Sequence, residues 1–330
     1  YRFTTLILGM NPLEHEYKVM GLSAYTKSIK HINEVKSVYY NILDFKDGNF
    51  ISKDPLKDSY FDLKQRLEGF RFDNIAAALQ LWSTEITVKW IEYWLNRLDK
   101  THLFFSGGLS MNVKTNGELI NKISKLKKLS IPGSGGDETL SIGACFFYAK
   151  EKQDLSVKHL NTLYIGKISK VKNNIDKCNE ILKKITNDGQ KFYFEENATE
   201  KRVAELLSTN NVIARCAGNM EFGARSLGNH AILAHPQYRD NIEIINDLIK
   251  QRDFWMPFTP SFLEEYVNDY IKNDKEIISP YMTIAFECKR SNINKISAVI
   301  HNGDKTTRPQ FVSKLQNKKY WNIINEFYKI

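Results

Sequence analysis

The stretch "HLFFSGGLSMNVKTNGELINKISKLKKLSIPGSGGDETLSIGACFFYAK" (residues 102–150) sets the fold class. A short apolar run ends in Gly107-Gly108 and leads into a helical pattern over 112–124. A second run, "KLSIP", ends in "GSGGDE" and leads into the helix "TLSIGACFFYAK". Strand, glycine turn and helix, twice in succession, is the logic of an α/β protein. Glycine at such turns leaves the N–H groups of a helix start uncovered, which stabilises bound anions. Neither turn follows P-loop or G-x-G-x-x-G spacing, so neither alone is a nucleotide signature.

Upstream, "DNIAAALQLWSTEITVKWIEYWLNRL" (73–98) places apolar residues at 75, 79, 82, 86, 90 and 94. This spacing predicts a helix capped by Asp73 or Asn74, with its tryptophans in the core. The sequence opens on a strand-like run, "YRFTTLILG", and closes inside a helical one, "YWNIINEFYKI", so it reads as a fragment of a longer protein. Downstream, residues 159–190 turn Lys/Asn-rich and polar. Beyond them "KFYFEE" predicts a strand, 199–209 a helix, "VIARC" (212–216) and "HAILA" (230–234) strands, and 238–251 a helix. "PYMTIAFEC" and "ISAVIH" read as further strands before a final helix. The expected organisation is a first domain over 1–165, a connection over 166–190 and an incomplete second α/β domain over 191–330.

With 42% apolar and 26% charged residues among 330, the composition is that of a globular protein. No apolar run reaches the length of a membrane span and no signal peptide is evident. Cys145, Cys178, Cys216 and Cys288 form no C-x-x-C pair, and three sit in apolar runs. They read as reduced core residues of a cytoplasmic protein. The formal charge of +9 fits nucleic acid or anionic small substrates. The lysines are scattered without aromatic interleaving, which favours solvated surface and disfavours nucleic acid.

Three loops of the second half concentrate cations. In "AGNMEFGARSLGNHAIL" (217–233), a bare turn explains Gly218, Gly223 and Gly228 but not Glu221 and Arg225, spaced as on one helical turn. "INDLIKQRDFWMPFTPS" carries Lys250 and Arg252 near a helix C-terminus, where basic residues are also stabilising through the helix dipole. "HNGDKTTRPQ" carries His301, Asp304, Lys305, Thr306 and Arg308. Guanidinium and ammonium groups converging from separate loops imply a polyanion such as carbamoyl phosphate or ATP. Asp137, following Gly135-Gly136, suits either a helix cap or a ligand for a divalent cation beside bound phosphates, and spacing alone favours the cap.

"HEYKVMGLSAY", "SGGLSMNVKTNG", "GGDETLSIGA", "MEFGARSLGNHAIL", "NDLIKQRDFWMPFTPS" and "DKTTRPQ" occur in this order across the chain. Together they resemble the O-carbamoyltransferases of the nodulation-factor and antibiotic-tailoring type. The resemblance implies the C-terminal part of an actin/sugar-kinase-like (ASKHA) domain followed by an incomplete YrdC-like domain. It implies an ATP-dependent enzyme that converts carbamoyl phosphate to carbamate, forms carbamoyladenylate, and transfers the carbamoyl group to a hydroxyl of a small molecule or glycan.

Carried over by motif, Arg225, Lys250, Arg252 and Arg308 would hold carbamoyl phosphate and the ATP phosphates. Gly107, Gly108, Asn112, Gly135 and Gly136 would line the nucleotide side. Asp137 would ligate a divalent metal, iron or magnesium, reversing the reading from spacing. The family's metal-binding histidines would precede Tyr1, and its terminal strand would follow Ile330. This sequence departs from the family at His230-Ala231 and His235-Pro236-Gln237, which weakens phosphate contacts there. Lys18 and His301 receive no role, and neither the acceptor alcohol nor the oligomeric state is legible. Competing readings are a nucleic-acid-binding protein related to tRNA modification and a non-catalytic scaffold of the same fold.

Overall fold

In the computed structural model, which describes residues 1–330 apart from 155, 159, 168–179, 182, 185–194, 196–197, 251 and 254, the two strand–turn–helix units are both formed. Strands His102–Phe104 and Lys128–Ser130 pair in parallel, Leu103 opposite Leu129. Helix Val113–Lys122 crosses between them, its first turn capped by the Asn112 side chain, which accepts from the Thr115 amide at 3.1 Å. The long helix Phe72–Arg97 packs against this helix and against Ile29–Ile42. It starts ahead of the expected caps. Asp73 is drawn into an ion pair with Arg71 at 3.1 Å, and Asn74 is buried, accepting from the Thr26 hydroxyl at 2.6 Å. Of its tryptophans, Trp82 stacks on Tyr39 and donates to the Leu43 carbonyl, whereas Trp94 lies at the surface.

The opening run is helical over Arg2–Ile7, not extended. Thr4 and Thr5 are buried on one face, Thr4 meeting the Tyr39 hydroxyl at 3.2 Å, while the Tyr1 hydroxyl reaches Gln80. These tertiary contacts override the β preference of a threonine- and aromatic-rich run.

In the second half, strands Ile213–Cys216 and His230–Leu233 pair antiparallel, making 217–229 the loop of a hairpin. Ser261–Leu263 and Gln310–Val312 pair in parallel. The 238–251 segment is α-helical only over Asp240–Glu243 and then widens to a π-helix over Ile244–Lys250. "PYMTIAFEC" contributes only the short strand Phe286–Glu287, paired with Thr306–Thr307. "ISAVIH" forms no strand: it lies largely in 3-10 turns within Arg290–Val299 that bury Ile296, Ala298 and Val299. The "KFYFEE" strand, most of the 166–190 connection and Cys178 lie outside the described residues.

The architecture is mixed α/β. Its largest core joins Val88, Ile91, Leu119, Ile123 and Leu129 to Phe262, Ile271, Ile284, Phe286 and Phe311, so both halves of the sequence bury surface together. A second core surrounds Val19, Leu22, Val35, Tyr39 and Leu79.

Of the described cysteines, only Cys288 is buried, its thiol pushed up to about 11 by desolvation. Cys216 is exposed because the strand's pleat turns Ala214 and Cys216 outward. Cys145 is exposed on helix Leu140–Glu151, whose Leu140, Phe147 and Tyr148 also face solvent. Among the described residues no helix is long and apolar enough to cross a membrane.

Candidate functional site

The glycine turns of the first half and the arginine loop of the second meet. Gly107 adopts φ +95° and leads into the turn Gly108–Met111. Gly135 packs so tightly on that turn that a Cβ would collide with the Ser110 hydroxyl. Gly223, at φ +108°, brings the 217–229 loop onto the same place, where a Cβ would sit 3.2 Å from the Ser134 Cβ. A left-handed conformation and close backbone approach together explain the glycine there.

Arg225 then reaches across. Its Nη1 donates to the Gly133 carbonyl at 3.3 Å and lies 3.9 Å from the Met111 sulfur. Burial pushes its guanidinium down to about 10, against the opposing influence of nearby Glu138. Ser134 is buried beside it, with a hydroxyl that has no hydrogen-bond partner among the described residues.

Glu221 does not pair with Arg225, and the loop is not helical. One Glu221 oxygen instead accepts from the backbone N–H groups of Leu227, Asn229 and His230 at 2.8–3.1 Å, and the other meets His230 Nδ1 at 3.0 Å. Burial alone would raise this carboxyl, but the backbone donors hold it below the usual carboxylate range. Glu221 shapes the loop, and Arg225 is left for the recess.

Arg308 completes the cluster. Its Nη2 donates to the Thr259 hydroxyl at 3.0 Å, and its guanidinium is pushed down to about 9, first by burial and then by the like charges of Arg225 and Arg252. Arg225 and Arg252, from distant segments, therefore each lie within electrostatic reach of Arg308; Arg225 and Arg308 are half-buried, whereas Arg252 is exposed. Like charges gathered in this way favour an anion between them.

Lys250 is exposed at the end of the π-helix, and no contact joins it to the three arginines among the described residues. Lys18, left without a role by the sequence, forms an ion pair with Asp253 at 2.9 Å, tying helix Glu16–Leu22 to the residue after Arg252.

The remaining predicted residues divide. Gly107 and Gly108 have open space where a side chain would be, so their backbone faces outward uncovered. Asn112 is turned inward: its amide bonds Gln80 and the Tyr1 hydroxyl as well as capping its helix. Asp137 is exposed and begins a short turn over Asp137–Thr139, while the cap position of the following helix belongs to Thr139. No group of three His, Cys, Asp or Glu side chains able to hold a metal occurs among the described residues.

Ser134, Glu138 and Thr259 escaped notice in the sequence. Each lies in or beside a quoted block, but only the folded chain shows which of them faces an arginine.

Residues 1–146 match the family model described as carbamoyltransferase N-terminus, and residues 204–330 match that described as carbamoyltransferase C-terminus. An uncharacterized protein of Methanocaldococcus jannaschii is 33% identical over 99% of the chain and 62% of its own length. Nodulation protein NolNO of Sinorhizobium fredii is 28% identical over 100% of the chain and 48% of its own length. For nodulation protein NolO of Bradyrhizobium diazoefficiens the figures are 26%, 100% and 60%. The chain thus spans roughly half to three-fifths of the length of these relatives.

Proposed function

The chain belongs to the carbamoyltransferase family, and we propose that within a longer protein it serves ATP-dependent O-carbamoyl transfer. The observation that carries the reading is the gathering of Arg225 and Arg252 around Arg308. Arg225 is anchored on the largely buried 133–136 glycine loop, and the uncovered Gly107-Gly108 turn is packed against that loop. Water would hydrolyse carbamoyl phosphate, giving carbamate and phosphate. The carbamate oxygen would attack the α-phosphorus of ATP, forming carbamoyladenylate and expelling pyrophosphate. The three guanidinium groups would bind these anions and offset the charge that develops on the transferring phosphoryl oxygens. An acceptor hydroxyl would then attack the carbamoyl carbon, and AMP would leave.

The proposed architecture behind this is an ASKHA-type part followed by a YrdC-like part, with a small-molecule or glycan alcohol as acceptor. Asp137 is proposed as one ligand of a divalent ion, and no step above is routed through that ion.

The test is carbamoyl-phosphate-dependent exchange of labelled pyrophosphate into ATP by the full-length protein, with mass spectrometry of candidate alcohols for the gain of one carbamoyl group. Absence of both under turnover conditions rejects the reading. Steep loss of tRNA binding with salt, without exchange, would instead favour a nucleic-acid role.

A further inference from the structure

Lys114 and Asp304 belong to different halves of the chain, and neither touches the arginine cluster in any contact described above. Their side chains form an ion pair at 2.6 Å, only 16% and 30% exposed. Lys114 lies in the first turn of helix Val113–Lys122, two residues past Asn112 and three past the end of the Gly108–Met111 turn. Asp304 closes its own turn: Oδ1 accepts from the Thr306 amide at 3.1 Å and from the Thr306 hydroxyl at 2.8 Å.

The turn is fixed at a second point. His301 Nδ1 accepts from the Gly303 amide at 3.2 Å, so Nε2 carries the proton and donates to the Gly21 carbonyl at 3.1 Å. Gly303 is pressed so closely on Ala24 that a Cβ there would overlap its carbonyl. Two residues beyond Thr306 the chain delivers Arg308.

We propose that the Lys114–Asp304 ion pair is a positioning device, fixing the 301–306 turn, and hence Arg308, in register with the glycine turn that follows strand His102–Phe104. The pair would act through Arg308 and touch no anion itself. This inference rests on the reading of the arginine recess as an anion site, while its test does not require carbamoyl transfer.

The experiment measures binding of inorganic pyrophosphate to the full-length protein by titration calorimetry. Asp304→Asn makes the protein more positive, so long-range attraction alone would tighten binding. Loss of positioning instead weakens it, by about five- to tenfold given the sensitivity of charged clamps to small misplacements. Lys114→Met breaks the pair from the other side and leaves the Asp304–Thr306 hydrogen bonds in place, so it reads the same geometry if Asp304→Asn fails to fold. Its weakening should persist at high ionic strength, where a long-range charge effect is screened, and Lys114→Arg should keep binding near the wild-type level.

Unchanged or tighter binding by Asp304→Asn overturns the proposal, as does a weakening in Lys114→Met that vanishes at high ionic strength. Pyrophosphate binding by the wild type without carbamoyl-phosphate-dependent exchange would sink the enzymatic reading and leave the ion pair's role standing. No pyrophosphate binding by the wild type would overturn the anion recess and the positioning role together.

Discussion

Arg225 donates to the main-chain carbonyl of Gly133 at 3.3 Å, so the arginine of a second-half hairpin is anchored on a glycine loop of the first half. One Nη1–H is committed to protein, and the rest of the fork is available to a ligand. Arg225 lies within electrostatic reach of Arg308, on which Arg252 also acts, and Glu138 is its acidic neighbour. A cation in this position is fixed in place before an anion arrives, which limits the reorganisation needed on binding.

Replacement of Arg225 by Lys keeps the charge and loses the planar fork. An ammonium can satisfy Gly133 or the anion, but not both with the same geometry. The carbamoyl-phosphate-dependent pyrophosphate exchange should fall by roughly tenfold or more. Exchange at the wild-type rate in Arg225→Lys would remove this residue from the site.

Glu221→Ala removes the acceptor shared by three backbone N–H groups in the same loop. The stranded donors should cost on the order of 2 kcal/mol in denaturant unfolding. Anion affinity should fall with it, because the loop that aims Arg225 loses its organiser. A variant as stable as wild type would mean that Asn229, which bonds the Arg215 guanidinium and the Asn219 carbonyl, holds the loop by itself.

The strand–turn–helix units at 102–150 were legible because glycine punctuation and 3.6-residue periodicity are local signals. The arginines were legible as residue types in loops, but their convergence was not, since Arg225, Arg252 and Arg308 are joined only by packing. Glu221 shows the limit of spacing. Four residues from Arg225, it suggested a helical pair, yet the glycines around it made a loop whose bare N–H groups claimed the carboxylate. The Arg2–Ile7 helix was hidden because its stabilisation comes from Tyr39 and Gln80, far away in sequence. Lys18 and Lys114 lay inside quoted blocks without any local mark of their partners, Asp253 and Asp304.

His301 supplies a pH dependence. It is buried, and desolvation lowers its pKa from about 6.5, the opposing pull of Asp304 notwithstanding; Lys114 and Lys305 act in the same direction as burial. Above the unfolded value both states are neutral and His301 contributes no slope. As pH falls below about 6.5 the unfolded chain takes up the proton first, so stability declines until the folded pKa is reached. His301→Gln should flatten the melting temperature against pH over that interval while leaving the acid limb set by carboxylates such as Asp304 and Glu221. An identical pH profile in the variant would assign the slope to other groups, His235 first, whose pKa is also lowered by burial.

Asp137 gives the prediction about metal. Its carboxylate is exposed at the start of a short turn, and the described residues place no pair of further His, Cys, Asp or Glu side chains around it. Affinity for a divalent ion rises with the number of ligands held in a preformed geometry, and one solvated carboxylate competes poorly with water. Residues 1–330 expressed alone should therefore carry no stoichiometric iron or magnesium after desalting, by elemental analysis. Pyrophosphate should still bind through Arg225 and Arg308, because the arginine recess does not depend on Asp137. In the full-length protein, Asp137→Ala should reduce any bound metal and impair transfer to the alcohol while sparing pyrophosphate exchange. Equal loss of exchange and transfer would make Asp137 a structural residue of its turn. One equivalent of metal on residues 1–330, retained in Asp137→Ala, would place the ion elsewhere in the chain and defeat the assignment.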